Sequence, residues 1–186
     1  DDSERTVCWE DLAEKVDALA VGLSELGVSP GDRVSLLVQP GNDLTVILYA
    51  CLRIGAVAVV ADQGLGLRGM TRAVRSARPR WIIGATPGLT VARSLNWPGR
   101  RISLDVLSGR QAKLLGTVAS VERLLRSHSG RRPEAVPSPA PEDPAAVLFT
   151  SGSTGPAKGV LYTHGRLGAL VAQRAQPTVG VEDTLG

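Results

Sequence analysis

The feature that most constrains this chain is an alternation. Short apolar runs bounded by glycine and proline take turns with stretches whose apolar residues recur every three or four positions. Residues 10–26 show the helical spacing, with Leu12, Val16, Leu19, Leu23 and Leu26 on one face and Gly27 following as a stop. Residues 33–39 read as a strand between Pro30-Gly31 and Pro40-Gly41, and Asn42 stands where a cap would open a helix reaching Ile54. Residues 57–61 are apolar throughout, the mark of a strand buried on both faces. A helix over 67–77, a strand over 81–83, a helix over 89–95 and a strand over 101–104 continue the series. Strands separated by helices of this length predict an α/β fold: a mostly parallel sheet with helices on both faces.

The pattern fades between Asp105 and Gly116, and a helix is expected over 118–125. Pro133, Pro137, Pro139, Pro141 and Pro144 leave little room for regular structure, so 127–144 reads as a surface loop. Residues 145–149 and 160–162 are strand-like, and 167–174 are helical. The expected organisation is an N-terminal α/β unit over 1–126, the proline-rich connection over 127–144, and a strand–loop–strand–helix unit of the same domain over 145–186.

Composition excludes several classes. The net charge of +3 is dispersed and only 3% of residues are aromatic, so neither a basic patch nor a stacking platform for nucleic acid is in view. Residues 1–5, Asp-Asp-Ser-Glu-Arg, do not form a secretory signal. The most apolar stretch, residues 46–61, is interrupted by Arg53 and Gly55 and falls short of the ~20 residues that span a bilayer. A soluble, cytoplasmic protein with no transmembrane segment is expected. Cys8 and Cys51 have neither metal-ligand nor redox spacing and read as small core residues; no metal site is assigned.

One segment carries chemistry. Between two apolar strands lies Thr150-Ser151-Gly152-Ser153-Thr154-Gly155-Pro156-Ala157-Lys158-Gly159, with four hydroxyls, three glycines and a lysine in ten residues. Glycine lets backbone N–H groups approach an anion closely, and the hydroxyls donate further bonds. Lys158 adds a compact cation suited to a polyphosphate, in a chain whose only other lysines are Lys15 and Lys113. A polar hairpin turn would explain the composition, but ten residues is long for one. A Walker loop needs Gly-Lys-Ser/Thr leading into a helix, and a nucleophile elbow needs Gly-x-Ser-x-Gly; neither matches.

The run Phe149-Thr150-Ser151-Gly152-Ser153-Thr154-Gly155-x-x-Lys158-Gly159-Val160 is similar to the signature of the adenylate-forming superfamily of acyl-CoA synthetases, luciferases and peptide-synthetase adenylation domains. The resemblance extends upstream through Trp9-Glu10-Asp11-Leu12, Gly31-Asp32-Arg33-Val34 and Gly55-Ala56-Val57, and so covers nearly the whole chain. Two departures stand out. Pro156 comes one residue earlier than in many members, and Asp62-Gln63-Gly64-Leu65-Gly66 replaces a usual proline-rich stretch. With Tyr162-Thr163-His164, these features resemble the branch of long-chain fatty acyl-CoA synthetases and olefin-pathway β-lactone synthetases.

The resemblance implies the N-terminal part of a large catalytic domain. It implies attack of a fatty or other carboxylate on MgATP to give acyl-AMP and pyrophosphate, then transfer to coenzyme A. It also implies that Thr150, Ser151, Gly152, Ser153, Thr154 and Gly155 cradle the phosphates, with Lys158 neutralising charge. β-Lactone formation, or a nucleotide-binding module without catalysis, is the alternative. The adenine pocket, the metal-binding glutamate and a C-terminal lysine are expected in a remainder beyond Gly186, and the 186 residues alone are expected to be inactive.

Three further features have ordinary readings. Gly64-Leu65-Gly66-Leu67-Arg68-Gly69 matches a dinucleotide fingerprint, but no acidic residue lies between Gly69 and Asp105, so a tight turn is expected. His128 falls in the polar loop and is expected to be solvated, as are Arg68, Arg72, Arg75, Arg78 and Arg80. His164 admits two readings, facing the phosphate loop or starting a helix.

Overall fold

The computed structural model describes residues 9–133, 138–150 and 158–175. Seven strands form one sheet: β1 (Arg33–Leu37), β2 (Val57–Ala61), β3 (Trp81–Gly84), β4 (Arg100–Ser103), β5 (Thr117–Ser120), β6 (Pro144–Thr150) and β7 (Lys158–Thr163). Their order is β5-β4-β3-β1-β2-β6-β7. Every neighbouring pair is parallel except β6 and β7, which run antiparallel. The helices are α1 (Trp9–Glu25), α2 (Asn42–Arg53), α3 (Gly66–Ala77), α4 (Thr86–Ser94), α5 (Gly109–Leu115), α6 (Val121–His128) and α7 (His164–Ala175), with a 3₁₀ turn over Gln63–Leu65.

The period-two pattern of each strand sorts its side chains onto two faces. Val34, Leu36, Ala58, Trp81, Ile83, Ile102 and Ala146 join one core, against Leu19 and Leu23 of α1, Ile47 and Ala50 of α2, and Val121 and Leu124 of α6. The alternate residues face the other way. Ile82 packs with Val74 of α3 and Leu89 and Ala92 of α4, while Val59 and Phe149 pack with Ala73 and Ala77 of α3. Helices therefore cover both faces, as the alternation predicts. Burying one Leu or Ile contributes roughly 1.5–3 kcal/mol, so this double core dominates the fold's stability.

Two of the three sequence landmarks upstream of the loop, those around Asp32 and Gly55, are structural. Asp32, entering β1, accepts hydrogen bonds from Ser29 N (3.0 Å), the Arg80 guanidinium (3.1 Å) and the Trp81 indole (3.3 Å). Arg33 donates to the Ala77 carbonyl at the end of α3 (2.8 Å). Gly55 has φ +70°, and its carbonyl accepts from Gly31 N at 2.8 Å. An added Cβ there would stand 3.3 Å from Pro30. The landmark residues thus lock the approaches to β1 and β2 together.

Several expectations need correction. The helix expected over 118–125 is a strand, β5, followed by α6, which runs to His128. Alternation at Thr117–Ser120 is too short to reveal a strand by period alone. The faded stretch holds α5, opened by Ser108 and Gln111 in a reciprocal capping box and closed by Gly116 at φ 66°. The segment read as loop over 127–144 gives its first two residues to α6 and Pro144 to β6. Asn42 is the first residue of α2 rather than its cap; Gly41 holds that position, and Thr45 Oγ1 donates to its carbonyl.

His128 is not solvated. It is only 8% exposed, at the end of α6, with Nδ1 2.7 Å from the Leu124 carbonyl and Nε2 3.0 Å from Glu25. Gly22 makes room for the ring, since a Cβ there would lie 3.1 Å from Nδ1. Glu25 also pairs with Arg131 at 2.7 Å. The His128 bond first, and Arg131 second, hold the Glu25 carboxyl below the usual carboxylate range. Cys51 is buried as expected, and burial pushes its thiol up to about 12. Cys8 lies outside the described residues. No helix among the described residues is long and apolar enough to cross a membrane.

Candidate phosphate-binding site

The ladder between β6 and β7 fixes where the glycine-hydroxyl segment sits. Thr150 and Lys158 are register partners, as are Phe149 and Gly159. Ser151, Gly152, Ser153, Thr154, Gly155, Pro156 and Ala157 lie outside the described residues, but both their anchors are placed. Phe149 also pairs with Ala61 at the end of β2, and its carbonyl accepts from Asp62 N at 3.0 Å. The segment therefore springs from the carboxyl edge of the parallel strands, where open α/β sheets bind their ligands. Lys158 is exposed there, and no ion pair joins it to a described residue.

Gly159 is required for a packing reason. A Cβ at this position would come within 2.8 Å of the Phe149 ring and 3.1 Å of Val147. The ring thus packs against the start of β7, and the glycine beside Lys158 serves the hairpin. Asp62, next to the same edge, caps the 3₁₀ turn by accepting from Gly64 N at 3.0 Å. That turn leads directly into α3, with Gly66 at φ 60°, so Gly64 and Gly66 build a local turn as expected, whereas Gly69 lies within α3.

His164 is placed elsewhere. Because β7 runs back along β6, Thr163 pairs with Pro144 at the amino edge of the sheet. Five residues at about 3.3 Å each separate it from Lys158, roughly 17 Å. His164 N donates to the Asp143 carbonyl (3.1 Å), and Thr163 Oγ1 accepts from Arg166 N (3.4 Å). These are the bonds of a helix start. Its Nε2 is buried without a partner among the described residues, beside a cavity of about 620 Å³ shared with Tyr49, Arg53 and Leu167. Arg68, Arg72, Arg75, Arg78 and Arg80 are exposed as expected, although Arg75 reaches the Leu95 carbonyl and Arg80 pairs with Asp32.

Sequence reasoning missed the buried Arg101 and Ser103 of β4, because a strand gives no sign of which polar residue faces inward without its partners. Among the described residues no group of three or more His, Cys, Asp or Glu is placed to hold a metal ion.

Known proteins resemble this chain in sequence and in fold. The sequence pattern of the family described as AMP-binding enzyme matches residues 1–185. An olefin beta-lactone synthetase of Xanthomonas campestris pv. campestris is 33% identical over 159 residues, covering 86% of this chain and 28% of that protein. An acetyl-coenzyme A synthetase of Xanthomonas campestris pv. campestris is 32% identical over 180 residues, covering 84% of this chain and 26% of its own length. The chain thus spans little more than a quarter of these curated relatives. In fold, it resembles the anthranilate CoA ligase AuaEII, solved with anthranoyl-AMP, at a TM-score of 0.72 and 21% identity over 88% of this chain and 31% of that one. A match that runs from residue 1 to residue 185, together with a glycine-hydroxyl segment anchored at the carboxyl edge of the sheet, means that this chain belongs to the adenylate-forming, AMP-binding enzyme family.

Proposed function

We propose that the protein activates a carboxylic acid, with a fatty acid as the preferred class, by ATP-dependent formation of acyl-AMP and release of pyrophosphate. A carboxylate oxygen bonds to the α-phosphorus, and the bond from that phosphorus to the oxygen bridging toward the β-phosphate breaks. The acyl group then passes to the thiol of coenzyme A, with AMP leaving. The observation that carries this reading is the pairing of Thr150 with Lys158 beside the end of β2. It holds the two ends of the glycine-hydroxyl segment one strand spacing apart, which supports a site where hydroxyls, backbone amides and an ammonium act together.

Their task is electrostatic. Negative charge gathers on the departing pyrophosphate, and donors fixed in advance stabilise it without reorganising. In this reading Thr150, Ser151, Gly152, Ser153, Thr154 and Gly155 hold the phosphates, and Lys158 follows the charge on its flexible stem. Mg²⁺ would arrive with the nucleotide and neutralise part of its phosphate charge. A cytoplasmic location suits the supply of ATP and coenzyme A. The similarity to olefin beta-lactone synthetases favours one second reading, in which an internal hydroxyl of the acyl-AMP replaces coenzyme A as acceptor.

Lys158→Ala in the intact protein tests the assignment. One hydrogen bond to a charged group contributes about 1.5–3 kcal/mol, so carboxylate-dependent ATP–pyrophosphate exchange should fall by about 10- to 150-fold. The loss should appear in the dependence on ATP, with the KM for the acid little changed. An unaltered ATP dependence would remove Lys158 from the site.

A further inference from the structure

The helices on the two faces of the sheet differ in charge. Helices α3, α4 and α5 share one face, where Val74, Leu89, Ala92 and Leu115 meet in a single cluster with Ile82. Helices α1, α2 and α6 cover the other. That second layer carries seven acidic residues against four Lys or Arg. The α3–α5 layer carries Arg68, Arg72, Arg75, Arg93, Arg110 and Lys113, and no acidic residue. Over residues 63–104 the chain has eight arginines and neither Asp nor Glu. The modest net charge of +3 therefore hides a polarised fold: in space the basic groups are not dispersed.

All six basic side chains are exposed, and no ion pair joins any of them to a described residue. On α3, Arg68, Arg72 and Arg75 recur at four and three residues, on the side opposite the buried Ala73, Val74 and Ala77. Arg75 donates to the Leu95 carbonyl at 3.1 Å, which sets the stripe against the end of α4, where Arg93 stands. On α5, Arg110 shares a side with Lys113 and Leu114, three and four residues on, away from the buried Leu115. Leu114 is 72% exposed, and Leu67 at the start of α3 is 56% exposed. A broad basic face thus carries a bare leucine on each of its two outer helices.

We propose that the α3–α5 face docks on an anionic membrane surface, with its cations on lipid phosphates and Leu67 and Leu114 dipping into the headgroup layer. Five of the six cations are arginines, whose planar fork grips phosphodiester oxygens in pairs. Spread over three helices, they match an extended array of phosphates rather than one compact anion. Nucleic acid offers such an array too, but Leu67 and Leu114 give a base nothing to stack on. Basic clusters with apolar side chains among the charges are held at anionic leaflets by both forces. The acidic layer turns away, so charge sets the orientation as well as the affinity. No residue of the phosphate segment takes part, and the proposal stands apart from the acyl-AMP chemistry.

The test is co-sedimentation of the intact protein with vesicles of equal parts phosphatidylcholine and phosphatidylglycerol, against vesicles of phosphatidylcholine alone. Binding should require the anionic lipid and weaken as salt is raised. Arg68→Gln, Arg72→Gln and Arg75→Gln together should lower partitioning by about 100-fold, and Arg110→Gln with Lys113→Gln by about 30-fold. The α5 pair keeps the test available if the α3 triple does not fold. Lys15→Gln, Arg123→Gln and Arg126→Gln remove as much charge from the opposite layer and should change binding by less than about threefold. Equal affinity for the two kinds of vesicle overturns the proposal, and so does an equal loss from the two layers. Release from the vesicles by a DNA duplex at equal phosphate concentration overturns the lipid assignment in favour of nucleic acid. Release by polyglutamate at equal charge overturns it in favour of an acidic protein.

Discussion

The two edges of the parallel sheet use their polar residues differently. At the amino edge they hold elements together. Asp32 joins the approach to β1 to the start of β3, Glu25 joins α1 to His128 and Arg131, and Asp143 and Thr163 fasten the start of α7. At the carboxyl edge Thr86 and Asp105 make one such tie, but Lys158 makes no ion pair with a described residue. The amino edge is a frame, and the carboxyl edge leaves Lys158 exposed, as the proposed phosphate site requires. The same strands serve both, because a parallel sheet presents all its carboxyl ends on one side.

The contrast can be broken most severely at Gly159. Gly159→Val should clash with Phe149 and Val147 and destabilise the protein by about 1–3 kcal/mol, seen as a lower urea midpoint. Exchange activity should disappear with it, since the register of Thr150 and Lys158 would be lost. A variant with wild-type stability would show that the ring moves aside freely.

The amino edge can be probed by pH. Hydrogen bonding to His128 and Arg131 depresses the folded pKa of Glu25, so the native state binds fewer protons than the unfolded chain on that group. Its stabilisation is present above the ordinary carboxylate value of about 4.3 and is lost as pH falls through the lower folded value. Glu25→Gln should flatten that part of the acid limb in urea titrations while leaving exchange kinetics near wild type. Superimposable acid limbs would mean the ties to His128 and Arg131 contribute nothing to folding. The smallest expected effect belongs to His164→Ala. At the far end of the hairpin it should change exchange rates by less than about threefold, within roughly 0.6 kcal/mol. A hundredfold loss would put the two edges in functional contact.

Much of this was legible in the sequence. Strand β2 was bounded to the residue, and α1, α2 and α3 nearly so, because each has a sustained period and a glycine or proline at its end. Strand β5 and helix α5 escaped because each is shorter than the window over which a period can be recognised. The sequence proposes the candidate site by its chemistry and does not give its place. Ser, Gly, Thr and Lys in one run point to phosphate whatever the fold, but His164, six residues from Lys158 in sequence, lies a hairpin's length away because β7 turns back. His128 was misread for a similar reason: its partner Glu25 is 103 residues distant, and no local pattern announces it.

The antiparallel pairing of β7 has a consequence for change in the chain. The span from Thr150 to Lys158 begins and ends at the two sides of one rung of the ladder, so its ends stay together whatever the span's length. Closing a loop between fixed neighbours grows only logarithmically harder, by about 0.6 kcal/mol for each doubling of length. Insertions between these two residues should therefore spare the architecture while dispersing the groups proposed to grip a nucleotide, and tolerance of mutation there would report on the proposed catalysis alone.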